Sequence, residues 1–131
     1  MKPKYSKDDL VAFRLKKASD TLHEAKLIAS QNMLPAAINR IYYSCFYAAS
    51  ALLLLHDITP KSHKGVRAML GLHFIETGIL SKDNGRFYND TFEYRQNSDY
   101  EDFFIIPEDI IIEFIQKAEI FIQEINTLTK K

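Results

Sequence analysis

Cysteine is nearly absent from this chain. Cys45 stands alone inside an apolar run, so no intramolecular disulfide can form, and a free buried thiol in a reducing compartment is expected. An excess of charge of either sign is missing as well. Lys and Arg number 17, as do Asp and Glu, so the whole-molecule field gives nucleic acid no help and any RNA contact has to be a local patch. Long hydrophobic runs are also lacking: the longest uncharged stretch, Ile41 to Leu55, falls short of the roughly 20 residues that a membrane span needs. Met1 to Leu10 carries Lys2, Lys4, Lys7, Asp8 and Asp9 without an apolar core, which argues against a secretory leader and for a cytoplasmic protein without a membrane partner.

Several site signatures are missing too. There is no Glu-x-x-His pair for a carboxylate-bridged metal pair, no paired cysteines for zinc and no glycine-rich phosphate loop, so neither a metal nor a cofactor is expected. Sustained strand alternation, low-complexity tracts and internal repeats are absent.

What remains is a helical pattern. At 131 residues, 47% hydrophobic and 26% charged, the chain reads as one globular domain spanning 1–131. Val11, Leu15, Ala18, Leu22, Ala25 and Ala29 alternate at spacings of four and three, predicting an amphipathic helix over Lys7–Ser30. Pro35 suits a first helical turn, and Ala36 to Leu55 is apolar almost all round, as befits the middle of a bundle. Its polar members Asn39, Tyr43, Tyr47 and Ser50 form one stripe.

Ser62 is a natural N-cap for a third helix ending near Gly78, with Val66, Leu70 and Phe74 as its seam. Ser81 caps a fourth, with Phe87, Thr91, Tyr94 and Ser98 along one side, ending near Asp99 or Tyr100; Asp99 to Phe104 reads as a loop. Pro107 opens the last helix, with Glu108 and Asp109 at its positive end and Lys130 and Lys131 at its negative end. Ile111, Phe114, Ala118, Phe121, Ile125 and Leu128 form its buried face. The expected fold is all-α: an up-and-down four-helix bundle with an additional short helix, the third and fourth helices being the shorter ones.

Three groups of residues carry candidate chemistry. Arg95 and Asp99 lie one turn apart: either a guanidinium that grips phosphate with a carboxylate to orient it, or a solvated ion pair contributing under about 1 kcal/mol. Tyr100 adds a ring for stacking or packing. Lys61, His63, Lys64 and Arg67 crowd the first turns of a helix, either as a phosphate seat or as a solubilising cap. His63 is the histidine best placed for proton transfer near neutral pH, whereas His23 and His56 have no such cluster and His73 reads as a packed core residue. The stripe of Asn39, Tyr43 and Tyr47, with Arg40 beside it, either lines a groove or forms a buried ladder that sets helix register.

Three blocks taken together resemble a known family. Asn39-Arg40-Ile41-Tyr42-Tyr43-Ser44-Cys45-Phe46-Tyr47-Ala48-Ala49, Lys61-Ser62-His63-Lys64-Gly65-Val66 and Phe92-Glu93-Tyr94-Arg95-Gln96-Asn97-Ser98-Asp99-Tyr100 are similar to prokaryotic HEPN-domain proteins. The name stands for higher eukaryotes and prokaryotes nucleotide-binding. The resemblance implies a helical bundle, homodimers, and a two-gene, toxin–antitoxin-like module with a minimal nucleotidyltransferase. It also implies binding of a nucleotide or RNA, for which Arg95, Asp99, Tyr100, Asn39, Tyr43, Lys61 and Lys64 are the candidate contacts.

Many members are metal-independent ribonucleases whose motif is an arginine, a polar residue and a histidine one to two turns on. Arg95 matches the arginine, and Gln96 or Asn97 the polar residue. Asp99, Tyr100, Glu101 and Asp102 occupy the positions where the histidine should fall. Three functions follow: a binding module, an endoribonuclease toxin in which His63 works with Arg95, or a structural helical adaptor.

Overall fold

The computed structural model describes residues 4–130; Met1–Pro3 and Lys131 lie outside the described residues. Five helices form an all-α bundle: α1 (Lys7–Ser30), α2 (Leu34–Leu55), α3 (His63–Leu70), α4 (Lys82–Tyr100) and α5 (Glu108–Thr129). No strand occurs among the described residues. No helix among them is long and apolar enough to cross a membrane.

Local chemistry explains where the helices begin. The Ser6 hydroxyl accepts from the Asp9 amide while the Asp9 carboxylate accepts from the Ser6 amide, a reciprocal cap that starts α1. Ser62 and Ser81 accept from Gly65 and Asn84 as predicted. Pro35 sits in the first turn of α2, and Glu108 and Asp109 in that of α5.

The helix ends are equally local. After α1, the Met33 amide reaches the Ile28 carbonyl and Asn32 adopts φ +59°. After α2, the Ile58 amide reaches the Leu53 carbonyl and Asp57 adopts φ +61°. Both are Schellman closures, with a short polar side chain at the left-handed position. Gly78 takes φ +79° where the third helical segment stops.

α2 packs against α1, α3, α4 and α5. Its side chains Ile38, Ile41, Tyr42, Cys45, Ala48, Ala49 and Leu52 are fully buried, as expected of a rod apolar on nearly every side. Cys45 is a free, buried thiol, and burial pushes it up to about 12. The predicted faces of α1, α3 and α5 point inward: Val11, Ala18, Leu22 and Ala25; Val66 and Leu70, with Phe74 beyond them; Ile111, Phe114, Ala118, Phe121 and Ile125. α4 is tied to α5 by the Asn84 amide, which donates to Glu124 at 2.6 Å.

Three expectations need correction. α3 passes into a single π turn, Gly71–Ile75, that widens the helix by one residue. Phe74 stays inside while His73 swings out to solvent, so His73 is not a core residue. α4 has 19 residues, so the bundle has four long helices and one short one. α4 ends at Tyr100, as expected, so the loop begins at Glu101 and not at Asp99.

Candidate functional site

Tyr42 is the centre of the site. It lies in the middle of α2 with no exposed surface, among the rings of Tyr43, Phe46, Tyr88 and Phe92 at 5.2–6.1 Å. A phenol there needs a polar partner, because an unpaired hydroxyl in an apolar interior costs about 1–3 kcal/mol. The partner comes from the first residue of α3: Tyr42 Oη lies 2.8 Å from His63 Nδ1. The His63 ring packs on Phe46 at 4.5 Å and on Tyr43 at 5.6 Å.

Arg95 arrives on the same tyrosine from α4. Its Cζ stands 5.0 Å from the Tyr42 ring centre and 5.6 Å from that of Tyr43, a cation over two aromatic faces. The one-turn ion pair with Asp99 is present; the Arg95 side chain is 14% exposed and that of Asp99 39%, so the arginine end of the pair is mostly shielded while the carboxylate end stays in contact with solvent. Arg95 Nε lies 3.2 Å from Asp99 Oδ2, yet its N–H is not aimed at that oxygen and finds no hydrogen-bond acceptor among the described residues. A buried, charged donor is thus held on an aromatic seat without a hydrogen bond.

Arg95 and His63, 32 positions apart in the chain, therefore meet within one protomer through Tyr42 and Tyr43. The electrostatics follow. Burial, and then the positive charge of Arg95, hold His63 below its ordinary value, so the imidazole is neutral at neutral pH. Burial pushes the Tyr42 phenol up to about 12, against the opposing pull of Arg95 and Arg67, so it too stays neutral. The buried Tyr88 hydroxyl interacts with that of Tyr42, though without a close, well-aligned hydrogen bond.

The other candidates divide. Tyr43 belongs to the cluster, its ring lying between Arg95 and Arg40, whose Cζ is 5.1 Å away. Asn39 acts at one remove, accepting from Arg40 Nε at 3.1 Å and Nη2 at 2.9 Å. Tyr47 carries Lys17 over its ring at 4.6 Å, and Ser50 accepts from Arg14. The polar stripe of α2 thus faces the cations of α1 as well as the site. Lys61 and Lys64 are exposed at the start of α3 and make no ion pair among the described residues. Arg67 is committed elsewhere: it lies 4.1 Å over Phe92 and 3.1 Å from Glu93. Tyr100 is 75% exposed and makes no ring contact with the cluster.

Sequence reasoning missed Tyr42 and Phe46. Tyr42 falls on the buried face of α2, where an aromatic residue reads as packing. Its one signal is a hydroxyl in a rod that otherwise has few polar atoms.

Chemically, the cluster can bind an oxyanion through a guanidinium, stack a planar group on Tyr43, and take up or supply a proton at a neutral imidazole. No group of His, Cys, Asp and Glu able to hold a metal ion occurs among the described residues.

Known proteins provide the context for this geometry. A protein of the UPF0332 group from Thermotoga maritima is 37% identical over 122 residues, covering 93% of this chain and 92% of its own. Two Methanocaldococcus jannaschii proteins, named "Putative toxin MJ0142" and "Putative toxin MJ0605", are 33% and 32% identical. The alignments cover 84% and 87% of this chain, and 75% and 84% of theirs. The HEPN domain profile matches residues 11–128, a span that takes in Tyr42, His63 and Arg95, and the chain belongs to the HEPN-domain family.

Proposed function

We propose that this protein is the toxin-like HEPN member of a two-gene module, that its Arg95 face binds the phosphate of an RNA or nucleotide, and that its partner is a minimal nucleotidyltransferase. The observation that carries the reading is Arg95 itself, a mostly buried guanidinium on two tyrosine rings with no hydrogen bond among the described residues. Its ion-pair partner Asp99, 3.2 Å away, leaves the buried Nε–H without an aligned acceptor, an arrangement that costs stability in a purely structural arginine. A phosphate-binding arginine keeps its donors for the ligand. The candidate-toxin names of the two archaeal relatives support the toxin half of the reading, and the family resemblance supports the nucleotidyltransferase half.

The test is fluorescence anisotropy of a labelled single-stranded RNA against the wild type and Arg95→Ala. A charge-assisted phosphate contact of about 1.5–3 kcal/mol predicts a loss of roughly 10- to 150-fold. Equal affinity of the two proteins overturns the binding site. For the partner, co-expression with a minimal nucleotidyltransferase encoded beside this protein, as the proposal requires, should give a complex that co-elutes on gel filtration, and two separate peaks would exclude it.

One observation favours a second reading, cleavage: a neutral imidazole shares its tyrosine with the phosphate-binding cation. In that reaction the ribose 2′-oxygen attacks the adjacent phosphorus and the P–O5′ bond breaks. The 2′-hydroxyl proton passes to His63, and the departing 5′-oxygen takes up a proton from water. Arg95 would offset the charge that develops on the phosphorane oxygens. The products would be a 2′,3′-cyclic phosphate and a 5′-hydroxyl end, formed in EDTA by the wild type and not by His63→Ala. Intact RNA with the wild type leaves binding as the function.

A further inference from the structure

We propose that Tyr42 is the positioning residue of this site: its hydroxyl holds His63 by Nδ1, leaving Nε2 as the nitrogen that faces ligand, while its ring seats the Arg95 guanidinium. One side chain would then set both the orientation of the imidazole and its spacing from the phosphate-binding cation. The proposal rests on the reading of Arg95 as the phosphate anchor.

The geometry is specific. Tyr42 Oη meets His63 Nδ1 at 2.8 Å, and Arg95 Cζ stands 5.0 Å from the centre of the same ring. Phe46 at 4.5 Å and Tyr43 at 5.6 Å flank the imidazole and restrict its rotation. A phenol can donate to Nδ1 or accept from Nδ1–H, and in this proposal it accepts, which puts the lone pair on Nε2. With Nδ1 engaged, Nε2 is the nitrogen left for a ligand.

Tyr88 is a second neighbour of this phenol. Its ring lies 6.1 Å from that of Tyr42 and the two hydroxyls interact, but the short contact of the Tyr42 hydroxyl is with His63, at 2.8 Å. A phenol can donate to one neighbour and accept from another, so both contacts are compatible. The alternative, that His63 merely satisfies a buried phenol, predicts no response of Nε2 to RNA.

The charged and titratable neighbours are few. Tyr42 and Tyr43 come from α2, Arg95 and Tyr88 from α4, and Arg67, held by Glu93, from α3. No carboxylate hydrogen-bonds His63 among the described residues, so the Tyr42 hydroxyl is its orienting group.

The experiment is long-range 1H–15N correlation of the histidine rings at pH 7.5 in the full chain, with and without a saturating short single-stranded RNA. In the wild type His63 should show a single neutral tautomer, and RNA should shift Nε2 while Nδ1 stays in place. Tyr42→Phe keeps the ring that seats Arg95 and removes only the hydroxyl. In it His63 should become a mixture of tautomers. Tyr88→Phe leaves the Tyr42–His63 pair intact and should keep the single tautomer.

A wild-type His63 that already averages between tautomers overturns the proposal without any variant. So does a Tyr42→Phe protein whose His63 signals superimpose on the wild type's, or RNA that moves Nδ1 as much as Nε2. Unchanged RNA affinity in Arg95→Ala removes the phosphate-anchor reading, and the tautomer comparison still decides what Tyr42 does to His63.

Discussion

Replacing Arg95 with methionine separates a functional arginine from a structural one. Methionine is unbranched and of similar reach, so it can cover much of the apolar surface that the arginine stem covers. Stacking over Tyr42 and Tyr43, at 5.0 and 5.6 Å, is lost, at about 0.5–1 kcal/mol per ring. The pair with Asp99, whose carboxylate is 39% exposed, contributes less than about 1 kcal/mol. Against these losses, removing a buried donor that has no acceptor returns about 1–3 kcal/mol.

The two sides nearly cancel. Arg95→Met should therefore stay within about 1 kcal/mol of wild type, a Tm shift of about 5 °C or less for a chain of this size. Removal of the guanidinium should meanwhile cost the RNA contact at least about tenfold. Leu52→Ala, at a fully buried position in α2, is the contrasting control: it should lose about 2–5 kcal/mol. The assays are urea denaturation followed by circular dichroism, and anisotropy with labelled RNA. If Arg95→Met fell with Leu52→Ala, Arg95 would be a structural tie for the end of α4, and the adaptor reading would prevail.

Three further outcomes follow. Gly85→Ala should destabilise by about 1 kcal/mol or more even though alanine favours helix, because its Cβ would lie 2.7–3.0 Å from three atoms of the stiff Ile75 side chain. In an Ile75→Ala background the same change should stabilise, and melting of the four proteins measures that reversal. Asn32→Val should cost about 1 kcal/mol or more at φ +59° while Asn32→Gly stays close to wild type, as read from urea midpoints. His63 titrates lower in the folded chain than in the unfolded one, so the unfolded state binds the extra proton as pH falls below about 6.5. Its contribution is present above that pH and is lost as pH falls toward the folded value. The urea midpoint of His63→Gln should consequently decline less than that of the wild type between pH 7.5 and 5.5.

The helices could be read from the sequence because their signals are local. Ser62 and Ser81 cap through amides three residues on, Gly78 ends a segment through its own φ, and the apolar spacing of α5 maps directly onto its buried face. His73 differs from expectation because it neighbours the Val66, Leu70 and Phe74 seam without belonging to it: Phe74 takes the buried position and the adjacent imidazole is left in solvent. Arg95 was recognised as a candidate from its motif and His63 from its charged neighbours. Their convergence could not be read, because it depends on how α3 and α4 pack against α2. Tyr42 was invisible for the opposite reason: the burial that makes it central also makes it look like ordinary core.

The site draws its parts from both halves of the chain. Tyr42 and His63 belong to the α2–α3 segment, and Arg95 comes with α4, which packs against α2. If Arg95 anchors phosphate as proposed, separating α4 from α2 would dismantle the site, and a partial opening of that kind requires less free energy than unfolding the whole bundle. Under mild denaturant, RNA affinity should decline while helicity is still intact. In the cell, a partner that clamps or releases α4 would control the protein without touching Arg95 or His63.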